Sequence, residues 1–261
     1  MNDLTEINAS ASVIKTVHND ICYLNINRPD KLNALSEEVL SLLISYLSEI
    51  SESTEIKVII LRSSGKAFCA GHDLRQMMDN HNQNYFDKLF SLCSEFMVKL
   101  TQVPQVVITR VHGLATAAGC QLVAQSDIAV CSDDALFATS GVNLGLFCST
   151  PSVAVSRNVP RKIAAEMLFT GDFIDANYAK KIGLVNHIVS KQNLDEKINE
   201  VANKITSKPF KTISLGKEVF YKQYLDNLQS AYDVAAKKMA CNMMYEETIE
   251  KINNFLNKKS S

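Results

Sequence analysis

A short segment of small residues carries two glutamines at a position suited to ligand binding. Residues 117–125 have the sequence AAGCQLVAQ and follow a strand-like run, Val106–Val111, and the turn His112-Gly113. A turn of small residues between a strand and a helix lets backbone N–H groups approach a ligand closely. Gln121 lies in this segment, but an amide exchanges no proton near neutral pH. The acid or base of such a site must therefore lie elsewhere in the chain, or be absent.

A second segment has the same character. Residues 66–74 (KAFCAGHDL) and 112–119 (HGLATAAG) each place small residues between an apolar, strand-like run and the start of a helix. Ligands of open α/β sheets bind at the carboxyl ends of strands. Two such loops side by side would present a pair of N–H groups to one oxygen, as an oxyanion hole does. The alternative is that the small residues only permit close packing, and the pattern leaves both interpretations open.

Motifs of metal, nucleotide and serine-hydrolase chemistry are missing from the sequence. His72 and Asp73 are adjacent, but no HxxxH or Cys/His spacing accompanies them, and neither a P-loop nor GxSxG occurs. We therefore predict no metal. The seven cysteines form no CxxC pair and are predicted to be reduced, mostly buried thiols. Cys148, between Phe147 and Ser149, is the one candidate for a reactive thiol.

Composition limits the classes of protein that this chain can represent. Its 261 residues suffice for one substantial core, and 46% hydrophobic with 21% charged residues is ordinary for a globular protein. The formal net charge of −1 gives no overall field that would attract nucleic acid or an anionic membrane. No run approaches the roughly 18 apolar residues that a membrane span needs, and the N-terminus resembles no targeting signal. The sequence thus predicts a cytoplasmic protein without a membrane span or a nucleic-acid partner.

Apolar patterns predict the elements that hold the two loops. Val13–Val17 and Ile21–Ile26 alternate around Asn19-Asp20, which predicts a β-hairpin, and Val58–Leu61 is a continuous apolar run typical of a buried parallel strand. Further strands are predicted at Val106–Val111 and Ile128–Cys131, and helices from Ser36, at Asp73–Asp79, Tyr85–Leu100, Ala118–Gln125 and near Arg161–Phe169. The alternation of strands and helices predicts an α/β fold with a mostly parallel sheet. We predict a core at residues 1–193 and a helical region at residues 194–261.

Five motifs in this order resemble the enoyl-CoA hydratase/isomerase (crotonase) family. The motifs are NRPDKLNAL (27–35), KAFCAGHDL (66–74), VHGLATAAGCQLVAQSDIAV (111–130), ALFATSGVNLGL (135–146) and MLFTGDFIDANYAKKIGLVNHIV (167–189). GHDL followed by GLFCSTP is similar to one branch of that family. The resemblance implies a crotonase (ClpP-like) spiral of ββα units with a C-terminal helical trimerisation region. It also implies an acyl-CoA ligand of fatty acid metabolism, no further cofactor, and a homotrimer or dimer of trimers.

The resemblance also implies roles for particular residues. The family's oxyanion pair falls on the backbone N–H groups of His72 and Ala118, and alanine at the second position keeps the N–H but restricts φ. Contacts with CoA and substrate would come from Lys31, Leu32, Ala34, Ala70, His72, Asp73, Leu74 and Ser140, with a phosphate meeting Lys258 or Lys259.

Departures from the family pattern concern the acid/base groups. The two glutamates of the hydratases correspond to Gln121 and Gly141, and a side chain at position 141 would be strained if φ there were positive. Ser149 falls near the nucleophilic aspartate of dehalogenase-like relatives, but no base accompanies it. Two hypotheses stay open. The chain is an enzyme that stabilises an enolate or oxyanion with atypical acid/base groups, or an acyl-CoA-binding protein that has lost the chemistry.

Overall fold

The predicted hairpin forms one edge of the main sheet. In the computed structural model, which describes residues 10–257, β1 (Val13–His18) pairs antiparallel with β2 (Ile21–Ile26). The turn between them contains Asn19, whose φ is 55°. Asparagine tolerates this left-handed conformation better than most residues. The hairpin prediction is confirmed.

The main sheet is parallel apart from β1, as the sequence predicts. The further strands are β3 (Val58–Ser63), β4 (Val106–Val111), β5 (Leu114–Thr116), β6 (Ile128–Ser132), β7 (Leu136–Ala138), β8 (Ile174–Asp175) and β9 (His187–Val189). Six strands form this sheet in the order β1-β2-β3-β4-β6-β9. Both faces of β3 are covered, because Ile59 and Leu61 face one apolar cluster while Val58 and Ile60 face another. This explains its continuous apolar run.

A second, smaller sheet holds the three strands β5-β7-β8. It was not predicted from the sequence. Along the chain, β4 and β6 belong to the main sheet, and the strands that follow them, β5 and β7, belong to the small one. Each such pair therefore turns the chain from one sheet into the other. This alternation agrees with the spiral of ββα units that the resemblance implies.

The structure contains eleven α-helices within residues 10–257. They are α1 (Glu37–Ser51), α2 (Leu74–Asp79), α3 (Gln83–Gln102), α4 (Ala118–Gln125), α5 (Ser149–Asn158), α6 (Arg161–Thr170), α7 (Ala176–Lys181), α8 (Leu194–Thr206), α9 (Phe210–Lys222), α10 (Leu228–Met243) and α11 (Glu246–Asn257). Ser36 caps α1 as predicted, since its side chain accepts a hydrogen bond from the N–H of Val39. Over this part of the chain, no helix combines the length and the apolar character needed to cross a bilayer.

Different helices pack on the two faces of the main sheet. The larger core includes the buried stripes of α1 and α3. On the opposite face, Leu194, Ile198 and Ala202 of α8 pack against the second cluster. In contrast, α10 and α11 bury no residue, and Leu228 is 75% exposed. The boundary at residue 194 and the oligomerising role of the helical region stay predictions.

Candidate functional site

The two candidate loops are joined by main-chain hydrogen bonds. Cys69 donates its N–H to the oxygen of Leu114 (3.0 Å), and Thr116 donates to the oxygen of Cys69 (3.0 Å). Gly119 packs so closely on this pair that a Cβ there would overlap the carbonyl group of Cys69. An ideal Cβ on Gly71 would lie 2.9 Å from the Cβ of Ala117 and 3.3 Å from the nitrogen of Ala118. The small residues of both loops are therefore needed for their contact.

Two backbone donors lie on the paired loops without an assigned acceptor. Among residues 10–257, no hydrogen bond is found for the N–H of His72 or of Ala118. Ala118 is the first residue of α4, where an N–H has no partner within its own helix. Two such donors on adjoining loops have the chemistry to bind one oxygen that carries negative charge.

The unusual backbone conformation lies at Ala117 rather than at Ala118. Ala117 has φ 51° and ψ −118°, a region that L-residues rarely adopt, whereas Ala118 has no positive φ. Hydrogen bonds hold Ala117 in place, since its N–H donates to Ala138 (2.9 Å) and its oxygen accepts from the N–H of Gln121 (3.0 Å). Strain that the surroundings enforce in this way is concentrated at functional sites in proteins.

A third loop, residues 28–35, closes against the first. Ala70 donates its N–H to the oxygen of Leu32 (3.0 Å), and Leu35 donates to the oxygen of Gly71 (2.7 Å). Asn33 is fully buried, and its amide donates to the carbonyl oxygens of Ser64 and Ala67, both at 2.7 Å. The structure thus brings together the residues predicted to bind CoA at positions 32, 34, 70 and 72.

Asp73 has a structural role in this loop. Its carboxylate lies 2.9 Å from Arg28 and also accepts the N–H of Gln76, which caps α2. Burial opposes ionisation, but the hydrogen bonds from Arg28 and from Gln76 outweigh it and hold the pKa of the Asp73 carboxyl below its usual range. At neutral pH Asp73 is therefore a paired carboxylate. Leu74, the first residue of α2, is half-exposed.

The ring of His72 is buried in an aromatic environment. It lies edge-on to Phe90 of α3, with 5.3 Å between ring centroids. Burial lowers the pKa of His72 to about 4, so the imidazole is neutral at physiological pH. Its Nε2 is buried without a hydrogen-bond partner among the described residues.

Gln121 lines a cavity between four helices. The residue is 3% exposed, and its Oε1 is buried without a hydrogen-bond partner in the described part of the chain. The cavity has a volume of about 980 Å³ and lies between α3, α4, α5 and α9. Gln125, one turn further along α4, lines it as well.

The remaining predicted site residues are dispersed. Ser140 is half-buried, and its Oγ lies 2.7 Å from Oγ1 of Thr116. Ser149 is exposed, and its hydroxyl donates to the oxygen of Phe147 (3.4 Å). Lys31 is exposed at the end of the 3₁₀ turn Pro29–Lys31. Lys258 and Lys259 lie outside the described residues. Burial raises the pKa of the Cys148 thiol, which opposes a reactive thiolate.

Gly141 sits in a confined position. Its φ is not positive, so the strain considered for a side chain there does not arise from the backbone. The obstacle is space, because a Cβ would overlap the backbone oxygen of Leu146 and lie 2.9 Å from Sγ of Cys148. The segment 140–148 therefore has no room for a glutamate in this conformation.

Gly141→Glu is accordingly expected to destabilise the protein by about 1–3 kcal/mol, the usual range for overpacking. Urea denaturation measures the effect. The control is Gly145→Glu, because a Cβ at Gly145 meets nothing within 4 Å although φ there is 75°. Any loss of stability in Gly145→Glu measures the cost of placing a side chain on a left-handed backbone, without a steric overlap. A Gly141→Glu protein as stable as the wild type would contradict the packing described here.

A buried cluster of charged and polar groups was not found from the sequence. Lys217 of α9 donates from Nζ to Asp127 (2.7 Å) and to the oxygens of Leu100 and Gln105, both at 2.8 Å. The hydroxyl of Tyr221 donates to the other carboxylate oxygen of Asp127 (2.6 Å). Burial lowers the pKa of Lys217, and Asp127 opposes this shift. The partners are about 90 residues apart in the chain, and no local pattern marks them.

Similarity to known proteins agrees with this geometry. A sequence profile described as Enoyl-CoA hydratase/isomerase matches residues 16–261. The chain is 44% identical over 234 residues to "Enoyl-CoA hydratase domain-containing protein 3, mitochondrial" of Homo sapiens, covering 90% of this chain and 77% of that protein. Its fold is similar to a crystal structure of an enoyl-CoA hydratase from Mycobacterium smegmatis (TM-score 0.93, 46% identity, 95% and 96% of the two chains). The crystal structure of human enoyl coenzyme A hydratase domain-containing protein 3 is also similar (TM-score 0.92, 42% identity, 95% and 98%).

These similarities confirm the crotonase fold and the predicted branch, and they correct one prediction. The cytoplasmic location is wrong, because the relatives of that branch are named as mitochondrial proteins. Composition gave no sign of this, since net charge and hydropathy do not distinguish the two compartments. The chain belongs to the enoyl-CoA hydratase/isomerase (crotonase) family.

Proposed function

We propose that this protein binds an acyl-CoA thioester, whose carbonyl oxygen accepts hydrogen bonds from the backbone N–H groups of His72 and Ala118. The observation that carries the proposal is the pairing of their two loops, which leaves both donors without an acceptor. Side-chain identity matters little to such donors. The site would therefore polarise a thioester carbonyl, or stabilise an enolate oxygen, whatever acid or base accompanies it.

The CoA portion is proposed to lie along the third loop. Lys31, Leu32, Ala34 and Ala70 would contact the nucleotide and the pantetheine arm, beside Leu74 and Ser140. Support comes from the hydrogen bonds that join residues 32–35 to residues 70–73. Lys258 would meet a phosphate.

The chemistry beyond binding is proposed to be atypical. Gln121 and Gly141 would take the places of the two acid/base glutamates, and neither can transfer a proton. Ser149 offers no replacement, since its exposed hydroxyl bonds to a main-chain oxygen. We favour an enzyme of the enoyl-CoA hydratase/isomerase type that relies on oxyanion stabilisation. Gln121, a neutral amide in a buried position, supports the second candidate, an acyl-CoA-binding or regulatory protein without catalysis.

Self-assembly into a homotrimer or a dimer of trimers is part of the same proposal. Its support is the pair of C-terminal helices, α10 and α11, which bury no residue in the single chain. Apolar side chains such as Leu228, Tyr232 and Phe255 are exposed on them. Large exposed apolar surfaces of this kind usually mark a protein–protein interface.

Acetyl-CoA and octanoyl-CoA are expected to bind, and Ala118→Pro is expected to weaken both by about tenfold or more. Proline removes the N–H donor at a helix position that tolerates it, but its ring also restricts Ala117, the residue before it, so circular dichroism is used to confirm that the variant is folded. Isothermal titration calorimetry measures the affinities. Ala118→Gly keeps the donor and is the matched control, with binding expected close to that of the wild type. Absence of binding by the wild-type protein at millimolar ligand would refute the acyl-CoA assignment.

A further inference from the structure

The side chain of His112 joins the second candidate loop to the first. Its Nε2 lies 2.9 Å from the carbonyl oxygen of Gly65, and its Nδ1 lies 3.4 Å from Nη1 of Arg110. A carbonyl oxygen only accepts hydrogen bonds and a guanidinium only donates them, so Nε2 carries the proton and Nδ1 accepts. His112 is 4% exposed. Both ring nitrogens of this buried imidazole therefore have a partner.

The charge state of the ring agrees with this tautomer. Burial lowers the pKa of His112, and the charges of Arg110 and Lys191 lower it further, while the hydrogen bond to Gly65 and the charge of Asp134 oppose the shift. Lys191 and Asp134 belong to the segments that follow β9 and β6. The imidazole is therefore neutral at physiological pH, as its role of acceptor for Arg110 requires.

Helix α8 in turn holds Arg110. The Nε and Nη2 atoms of Arg110 donate to the two carboxylate oxygens of Asp195, which lies in the first turn of that helix. A two-pronged pair of this kind fixes the plane of the guanidinium and leaves Nη1 for the ring of His112. The side chain of Arg110 is 17% exposed, and that of Asp195 is 67% exposed. A series of contacts thus runs from the surface at α8 to the carbonyl oxygen of Gly65.

At Gly65 the first loop also contacts the third. Its φ of 79° lies in the left-handed region, and a Cβ there would lie 2.6 Å from Cβ of Pro29. The buried amide of Asn33, in the same loop as Pro29, donates to the carbonyl oxygen of Ala67. The start of the first loop is therefore held from two directions, by the third loop and by the imidazole of His112.

The position of this contact affects the two backbone donors. His112 lies two residues before Leu114, whose oxygen accepts the N–H of Cys69. The two loops are thus joined twice, once by the imidazole and once by main-chain hydrogen bonds. A shift of the first loop against the second would move the N–H of His72 relative to that of Ala118.

We propose that the neutral imidazole of His112 is a positioning group, which sets the distance between the backbone donors of His72 and Ala118. Arg110 and Asp195 maintain its orientation. The inference rests on the proposed function, because it assumes that these two donors bind a thioester carbonyl. In this role the His112 side chain makes no contact with the ligand. Its loss should weaken the hydrogen bonds to the carbonyl oxygen and leave the contacts with the rest of CoA unchanged.

The test compares butyryl-CoA with S-butyl-CoA, a thioether that lacks the carbonyl oxygen, by isothermal titration calorimetry. The wild-type protein is expected to bind the thioester about tenfold more tightly, because only the thioester accepts the two N–H groups. His112→Leu removes both ring nitrogens and should reduce this ratio to about threefold or less, with the affinity for S-butyl-CoA unchanged. His112→Gln should keep most of the ratio, since its amide nitrogen lies as many bonds from Cα as Nε2 does and can donate to Gly65.

A second variant tests the same inference from the surface, because His112 is buried. Asp195→Leu removes the carboxylate that holds Arg110, at an exposed position that tolerates substitution. The ratio of the two affinities should fall in the same direction as in His112→Leu. Glu196→Leu changes the neighbouring exposed acid in the first turn of α8 and should keep the ratio. Circular dichroism confirms that each variant is folded, and Asp195→Leu decides the test if His112→Leu is not.

Other outcomes separate this inference from the proposed function. An unchanged ratio in His112→Leu or, where that variant does not fold, in Asp195→Leu would overturn the inference, while binding of CoA thioesters would stand. An equal loss of affinity for both ligands would assign His112 to general stability of the fold and would also overturn it. A ratio in Glu196→Leu as low as in Asp195→Leu would refute the role of the Arg110 pair. If the wild-type protein binds both ligands equally, the two donors do not hold a carbonyl, and the proposed function itself fails.

Discussion

Replacing Lys217 with methionine is expected to lower the free energy of unfolding by about 3–5 kcal/mol. The side chains of Lys217 and Asp127 are 5% and 13% exposed, so the substitution leaves a carboxylate nearly buried without its counter-ion. It also removes the donor from the oxygens of Leu100 and Gln105. Denaturation in guanidinium chloride, followed by circular dichroism, measures the loss.

Two further variants identify the origin of that loss. Lys222→Met, at the exposed end of the same helix, is expected to change stability by no more than about 0.5 kcal/mol. Asp127→Asn removes the buried negative charge. Lys217→Met combined with Asp127→Asn should therefore be more stable than the sum of the two single losses implies. A Lys217→Met protein as stable as the wild type would refute the assigned role.

Hydration of crotonyl-CoA is expected to be at least about 10⁴-fold slower than in a family member that has both glutamates. Under the proposed assignment both acid/base groups are missing, and each contributes roughly 10²–10⁴-fold. Stopped assays of the 3-hydroxybutyryl-CoA formed, with enzyme in high concentration, give the turnover number. The same assay on Gln121→Glu should give only a small gain, because water activation and proton delivery act as a unit.

Restoring both glutamates is not expected to restore the enzyme. Gln121→Glu with Gly141→Glu supplies the two carboxyl groups, but position 141 lacks space for a side chain beside Leu146. The double variant should therefore be destabilised and show no further gain. A turnover number of the wild-type protein like that of an efficient hydratase would mean that another group transfers the proton. His72 would then be the first residue to test, by His72→Gln and a pH profile.

Apolar patterns were sufficient to predict five of the six strands of the main sheet, but not the three-residue strand β9, and they were sufficient for the helices α1 and α3. The run Val58–Leu61 is continuously apolar because both faces of its strand are buried. Helix α1 has an apolar stripe because only one of its faces is buried. The sequence predicts both elements correctly. The strands β5 and β7 have only three residues each, too few for a period to appear. Helix α5 was not predicted, because its sequence, STPSVAVSRN, contains a proline, three serines and β-branched residues, which have low helix propensity. Its hydrophobic pattern is weak.

The candidate site also has features that the sequence predicts and features that it does not. The sequence predicts that the loops of His72 and Ala118 and the loop at residues 28–35 lie side by side, and main-chain hydrogen bonds join them because they follow neighbouring strands of one sheet. Their roles in binding stay predictions. Properties that depend on tertiary packing could not be predicted from the sequence. The overlap at Gly141, the unpaired oxygen of Gln121 and the positive φ of Ala117 each arise from atoms that distant segments bring together.

The hydrogen bonds between the three loops have a consequence for the thermodynamics of binding. They join residues 32–35, 69–73 and 114–116 in the protein without a ligand, so the donors at His72 and Ala118 are already oriented. Ordering of a loop commonly offsets part of the free energy gained from new contacts. Here that entropy is lost during folding, before any ligand arrives. The affinity contributed by the two N–H groups is therefore undiminished by loop ordering, and it depends on the stability of the fold as a whole.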